Sequence, residues 1–234
     1  MNNPWEFKKI EHPFFDEESY FLDHKHRFDV LSELIQSLNE VRTVCDIGVG
    51  VGAFYRTLDM TKFSISGVEI VPEYVEIAKS RGIDSRICDL DNQPLPFEDE
   101  SFDLVVCDSL LEHTLKPLEL VSEALRVLRP EGYLLLVVPN ALSFLMRWDY
   151  LRGRNQFWPL IHNLISGTGY LKRCSIFYGV KELRALFPHR QIKPFYIYEN
   201  FHRGRKSSLV AQFLYLLSRF MPSGRAILAV LVQK

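Results

Sequence analysis

In VRTVCDIGVGVGAF, residues 41–54, three glycines alternate at Gly48, Gly50 and Gly52 directly after a run that reads as a β-strand. Glycine packs nothing and loses the most backbone freedom on folding, so this density implies a backbone that something approaches closely. A glycine turn between a strand and a helix turns N–H groups toward a ligand, and the helix N-terminus adds positive potential. The order is GxGxG, not the GxGxxG of the dinucleotide fingerprint, and Asp46 stands two residues before the first glycine. Glu69, in GVEI, lies 19 residues beyond Gly50 at the carboxyl end of a second strand. One carboxylate there can accept both hydroxyls of a ribose. A third group lies in RICDLDNQPLPFEDESFDLVVCDSLLEH, where Asp89 closes a third strand and a fourth runs to Asp108.

The elements that must position these residues alternate. Residues 19–39 place Phe21, Phe28, Leu31, Leu34, Ile35 and Leu38 at helical spacing, an amphipathic helix leading into the domain. RTVCDI reads as a strand, AFYRTLDM as a helix and FSISGVEI as a strand. PEYVEIAKSRG is a helix opened by proline and followed by glycine. DSRICDL and FDLVVCDS are strands, LELVSEALRVLRPEG a helix closed by proline and glycine, and YLLLVVPN a fifth strand. Strands alternating with helices of this length predict a parallel, doubly wound sheet with ligands at the carboxyl ends of the strands. The rhythm breaks after Asn140. Residues 141–178 mix Trp148, Tyr150, Trp158, Tyr170 and Tyr178 with arginines and lysines, which reads as an insertion or lid. GVKELRALF then resumes as a helix, IKPFYIYENF as a strand, SLVAQFLYLLSRFM as a helix and RAILAVLVQK as the closing strand.

The 234 residues suffice for one α/β domain with a large core, and 47% apolar content at a net charge of −1 marks a folded chain. Cys45, Cys88, Cys107 and Cys174 form no CxxC pair and no metal-ligand spacing, and the polar N-terminus has no apolar signal. A reduced, cytoplasmic protein without a structural metal is expected. The charge is unevenly placed: residues 1–139 hold 13 Lys/Arg against 26 Asp/Glu, whereas residues 140–234 hold 15 against 3. Chance and solvated helix faces are the lesser reading of this, and the sharper one is that the second part faces something anionic, such as a phosphate-bearing substrate, an acidic membrane surface or nucleic acid.

Taken in order and spacing, VCDIGVGVG, GVEI, CDL, LPFEDESFDLVVCDSLLEH and LRVLRPEGYLLLVVPN resemble the class I S-adenosylmethionine-dependent methyltransferases, in particular the small-molecule group known as type 11-like. The resemblance covers roughly residues 40–140. It implies a Rossmann-like, seven-stranded, mostly parallel sheet with helices on both faces. Residues 1–40 would form an N-terminal helical segment, and 41–234 the methyltransferase domain with its lid at about 141–178. It further implies S-adenosyl-L-methionine as cofactor. Asp46 would anchor the loop and the amino side of the methionine portion, with Gly48 and Gly50 beneath the cofactor and Glu69 on the ribose. Asp89 and the Leu90 backbone would meet the adenine, and Asp108 and Ser109 would border the methionine portion. Arg27 or His26, on the first helix, would suit the cofactor's carboxylate, although either equally suits a solvated helix face.

Methyl transfer is an in-line displacement at an activated carbon, so the protein chiefly aligns the acceptor, excludes water and, where needed, takes a proton. His113 is the candidate base, since its ordinary pKa suits a hydroxyl acceptor; packing over the cofactor or capping the next helix is the alternative role. Glu112 is a neighbour less suited to that task, and His162 and Tyr170 in the lid are weaker candidates. Aromatic and basic side chains in 141–178 and in ENFHRGRKSS suit a small-molecule, sugar or lipid-linked acceptor, methylated most readily at oxygen. No nucleic-acid module is evident. The apolar run SLVAQFLYLLSRFMPSGRAILAVLV is too interrupted to span a membrane, while peripheral membrane contact through the basic C-terminal part stays open. Two rival readings are a catalytically silent methyltransferase-like binding protein and a nicotinamide-dependent oxidoreductase. The GxGxG order and the acidic run LPFEDESFDLV disfavour the second.

Overall fold

Side chains alternate across each strand of a twisted sheet, and here that alternation divides the core into two layers. The computed structural model describes residues 17–153, 178–197 and 209–234. Its strands are β1 (Thr43–Ile47), β2 (Ser64–Glu69), β3 (Asp84–Ile87), β4 (Phe102–Asp108), β5 (Leu128–Pro139), β6 (Ile192–Ile197) and β7 (Ile227–Gln233). They form one seven-stranded sheet in the order β3-β2-β1-β4-β5-β7-β6, as expected. The first five pair in parallel, and β7 runs antiparallel to both β5 and β6. The helices are α1 (Glu17–Ser37), α2 (Pro72–Ser80), α3 (Pro117–Val127), α4 (Phe144–Leu151), α5 (Val180–Ala185) and α6 (Leu209–Phe220).

On one side of the sheet Val44, Leu104, Val106, Leu135 and Val137 pack against Phe28, Leu31 and Ile35 of α1 and Ala78 of α2. On the other, Cys45, Val105, Cys107, Leu134 and Leu136 meet Leu120, Val121 and Ala124 of α3 and Leu183 of α5. Each fully buried Val or Leu contributes roughly 1.5–3 kcal/mol of transfer free energy, so the central strands are covered on both faces and rigid. Because β2 and β4 flank β1 while the chain winds outward in both directions, a crevice opens at the carboxyl ends of β1 and β4.

Three elements differ from expectation. The segment AFYRTLDM is a single 3-10 turn, Ala53–Thr57, and not an α-helix. Gly52 enters it left-handed and Leu58 leaves it extended, which confines the helical backbone to five residues. Helix α3 stops at Val127 because Leu128 already pairs with Phe102 of β4. The register then jumps to Tyr133 opposite Leu104, across Pro130 and a left-handed Glu131 (φ +64°). Cys88 falls one residue beyond β3, still buried. Of the expected lid, residues 144–151 form α4, capped by Ser143 Oγ accepting from the Met146 N–H at 3.3 Å. Trp158, His162, Tyr170 and Cys174, and the run 199–208, lie outside the described residues. No described helix is long and apolar enough to cross a membrane.

Candidate functional site

The three glycines after β1 are all left-handed, with φ of +86°, +54° and +74° at Gly48, Gly50 and Gly52. Their surroundings differ. A Cβ on Gly52 would stand 2.6 Å from Ile83 Cδ1, and one on Gly48 would crowd Leu110 at 3.0 Å, so these two serve packing. A Cβ on Gly50 would meet nothing within 4 Å. Of the three loop glycines, Gly50 is the one whose bare backbone borders open space. The loop is held by Gly48 and Val49 N–H groups donating to Val68 O at 2.9 and 3.0 Å. It crosses over Gly67 of β2, where a Cβ would meet Val49 Cβ at 2.9 Å. Sequence reasoning passed over Gly67, although a glycine inside a strand is itself a mark of close backbone approach.

Glu69, at the end of β2, grips this loop. Its Oε2 accepts from the Gly50 N–H at 3.1 Å, while Oε1 accepts from Ile70 and Val71 N–H at 2.8 and 3.1 Å. Burial raises its pKa against the lowering effect of those three N–H groups. The neighbouring strand end is tied in by Cys88 N–H donating to Glu69 O at 3.0 Å. Beyond it, Asp89 holds its own turn, its Oδ1 accepting from the Asp91 N–H and its Oδ2 from Asn92 Nδ2. Leu90 packs, half-buried, on the core. Asp91, another residue that sequence reasoning missed, is buried and accepts from Thr114 Oγ1 at 2.7 Å and the Leu115 N–H at 2.9 Å. That pair fastens the Asp89 turn to the segment following β4.

A buried acidic group faces the other side of the loop. Burial pushes Asp46 up to about 7, with the Tyr55 hydroxyl beside it pulling the other way and Asp108 and Glu69 adding to the rise. Burial likewise pushes Glu112 up to about 8; its own backbone N–H and Arg27 oppose this, and Asp108 adds to it. Arg27 is the cation of the cluster. From α1 it is buried to 3% exposure, donates from Nη1 to Ser109 Oγ at 3.0 Å and lies with Nε 3.5 Å from Asp108 Oδ2. Ser109 in turn donates to Asp108 Oδ1 at 2.9 Å from a left-handed backbone (φ +56°). Of the two residues considered on α1, Arg27 therefore joins the site, whereas His26 is exposed. His113 sits one-third exposed at the rim, its Nε2 3.9 Å from Glu112 Oε1. Tyr178 is buried nearby, its hydroxyl pushed up to about 12 by burial, Glu112 and Cys107.

Open space over Gly50, four carboxyl groups drawn toward neutrality or clasped, and one guanidinium form a chemical complement to a ligand with ribose hydroxyls, positive centres and a carboxylate. Residues 45–136 match the family model described as a methyltransferase domain. The chain is 34% identical over 93 residues to a demethylmenaquinone methyltransferase of Tropheryma whipplei, covering 39% of each. It is 28% identical over 123 residues to a probable tRNA methyltransferase 9B of Homo sapiens, covering 51% of this chain and 26% of that protein. The chain spans less than half the length of the curated relatives it matches. Among solved structures, a Thermotoga maritima protein described as an S-adenosylmethionine-dependent methyltransferase, possible histamine N-methyltransferase, superposes with a TM-score of 0.61 at 25% identity, over 93% of this chain and 94% of that one. Residues 45–136 therefore carry a methyltransferase domain similar to those that use S-adenosylmethionine, and S-adenosyl-L-methionine is the cofactor that stretch suits. The relatives' names include both a demethylmenaquinone and a probable tRNA methyltransferase, so likeness over this stretch does not fix the acceptor.

The raised acids make a pH prediction. Between about pH 4 and 8 the folded, ligand-free protein binds more protons than the unfolded chain at Asp46 and Glu112, so its stability falls as pH rises through that window. A positive centre beside Asp46 favours the carboxylate and lowers its pKa. Affinity for S-adenosylmethionine is expected to rise roughly tenfold between about pH 6 and 8, with proton release on binding. Calorimetry in two buffers of different ionisation enthalpy reads this directly; identical heats, or an unchanged pH dependence in Asp46→Asn, would refute it.

Proposed function

We propose that this protein is a working methyltransferase that moves a methyl group from S-adenosylmethionine to a small-molecule, sugar or lipid-linked acceptor, at oxygen. The observation that carries the reading is the left-handed Gly50 bordering open space between the Glu69 clasp and the Asp46–Asp108 acids. Bound there, the cofactor supplies a methyl carbon already activated for in-line displacement. Gly50 gives it room while Gly48, against Leu110, sets the loop beneath it, Glu69 takes the ribose hydroxyls, and Asp89 and the Leu90 backbone receive the adenine. Asp46 faces the amino group, and Asp108 and Ser109 border the methionine portion. Arg27, already locked by Asp108 and Ser109, offers its guanidinium to the carboxylate. His113, at the rim and accessible, takes the acceptor's proton.

Calorimetry with S-adenosylmethionine, its demethylated product and NAD tests cofactor choice: micromolar binding of both sulfur ligands and far weaker binding of NAD are expected. Heat with neither sulfur ligand would sink the reading. Labelled-methyl incorporation from cell extract into an acceptor fraction separates a working enzyme from a silent binding protein, and the label's resistance to base separates an ether from an ester.

Glu69 gives a graded test. Glu69→Ala removes the proposed ribose acceptor and frees the three N–H groups it holds, and should weaken cofactor binding by on the order of 2 kcal/mol. Glu69→Gln keeps one acceptor oxygen and should lose less. Unchanged affinity in both variants would mean that the ribose is held elsewhere.

A further inference from the structure

Helix α6 is turned against the usual pattern. Its Ser218 is buried at 4% exposure, whereas Phe213, Leu216 and Phe220 are 61%, 52% and 78% exposed, with Val210 and Met221 exposed beside them. Spacings of three and four residues put these side chains on one outward stripe. Helix α4 packs alongside, buries none of its own residues and exposes Tyr150 at 46% and Leu151 at 80%. The two helices contain a single acid, Asp149, against Arg147 and Arg219, with Arg152 capping the end of α4, and all three arginines are exposed. The guanidinium of Arg147 lies 5.8 Å over the Phe144 ring and that of Arg152 6.0 Å over Trp148, so the cations fringe the apolar stripe. A contiguous apolar surface with a rim of one sign marks an interaction site.

The place of this face in the fold matters. Helix α4 follows directly from the carboxyl end of β5, the same sheet edge as the Gly50 crevice. The Asn140 side chain donates to Ser223 O at 3.0 Å and Arg225 O at 2.8 Å, fastening the approach to α4 onto the turn behind α6. The two helices are thus presented as one rigid unit. A second copy is a poor occupant, because a two-fold contact would set the arginine rim against itself. The described apolar side chains project outward, which suits a medium that needs no matching pockets. We propose that α4 and α6 dock the protein on an anionic phospholipid bilayer. Phe213, Leu216 and Phe220 enter the headgroup region, and Arg147, Arg152 and Arg219 meet lipid phosphates. This docking does not depend on the methyl-transfer reading, and its test uses no activity.

The test is co-sedimentation of the full chain with phosphatidylcholine vesicles, with and without about one-third phosphatidylglycerol, as the anionic content that the arginine rim requires. Binding at least tenfold stronger to the anionic vesicles, weakening with added salt, is expected. The variant Phe213→Glu/Phe220→Glu should lose at least about tenfold, and Arg152→Glu/Arg219→Glu should lose the preference for anionic lipid. Because these side chains are exposed, unchanged thermal melting is expected and shows that the variants fold. Absence of wild-type binding to the anionic vesicles, or full binding by the folded phenylalanine variant, would overturn the proposal. So would a wild-type dimer in sedimentation velocity that the phenylalanine variant dissolves, which would assign the face to a second copy.

Discussion

Gly50→Val is expected to abolish measurable cofactor binding, a loss of more than about 100-fold, while the protein still folds. The two effects separate because of where the side chain would go. A Cβ at Gly50 meets no protein atom within 4 Å, so the variant suffers only the left-handed backbone, on the order of 1–2 kcal/mol and more for a β-branched residue. The open space it fills is the space the ligand needs. Gly52→Ala should behave in the opposite way: its Cβ would strike Ile83 at 2.6 Å inside the core, so melting temperature falls first and affinity only with it. Calorimetric titration with the demethylated product, beside thermal melting, gives both readouts. Retained affinity in a folded Gly50→Val protein would place the ligand elsewhere.

His113→Ala should lower the rate of methyl transfer by roughly 100-fold or more and leave cofactor affinity nearly intact. In the native protein the rate rises with pH through one ionisation, and the variant lacks that step. His113 suits this because it is accessible at the rim, with Nε2 3.9 Å from the buried Glu112 carboxyl, which burial keeps largely protonated at neutral pH. Weakened cofactor binding with an unchanged pH profile would instead make His113 a packing residue. No effect on either quantity would move the search to His162 and Tyr170, and would favour an amine or carboxylate acceptor that offers a lone pair without a strong base. Since alignment supplies much of the rate, surviving activity in His113→Ala removes the base assignment and not methyl transfer itself.

The family model matches residues 45–136, the stretch that holds the loop, Glu69, Asp89, Asp108 and His113. That concentration has a physical cause. One cofactor imposes one set of distances on the strand ends that hold it, whereas an acceptor site answers to a different molecule in each protein.

What the sequence determined by itself was whatever rests on local pattern. Short apolar runs alternating with helical segments bounded by proline and glycine marked all seven strands and the main helices, and a GxGxG turn followed by Glu69 marked the candidate binding loop. A left-handed Gly52 and an extended Leu58 held an expected helix to one 3-10 turn, and the pairing of Leu128 with Phe102 cut α3 short, because chain path and strand registry override propensity near an element's ends. The tertiary structure alone decided which glycine faces open space, since only packing separates Gly50 from Gly52. It alone chose Arg27 over His26, joined Asp91 to Thr114, and lifted Asp46 and Glu112 toward neutrality. Each of these depends on what lies across the crevice from a residue, at separations of up to 82 positions along the chain. Desolvation and long-range contact arise from the assembled neighbourhood, and no local run of letters contains it.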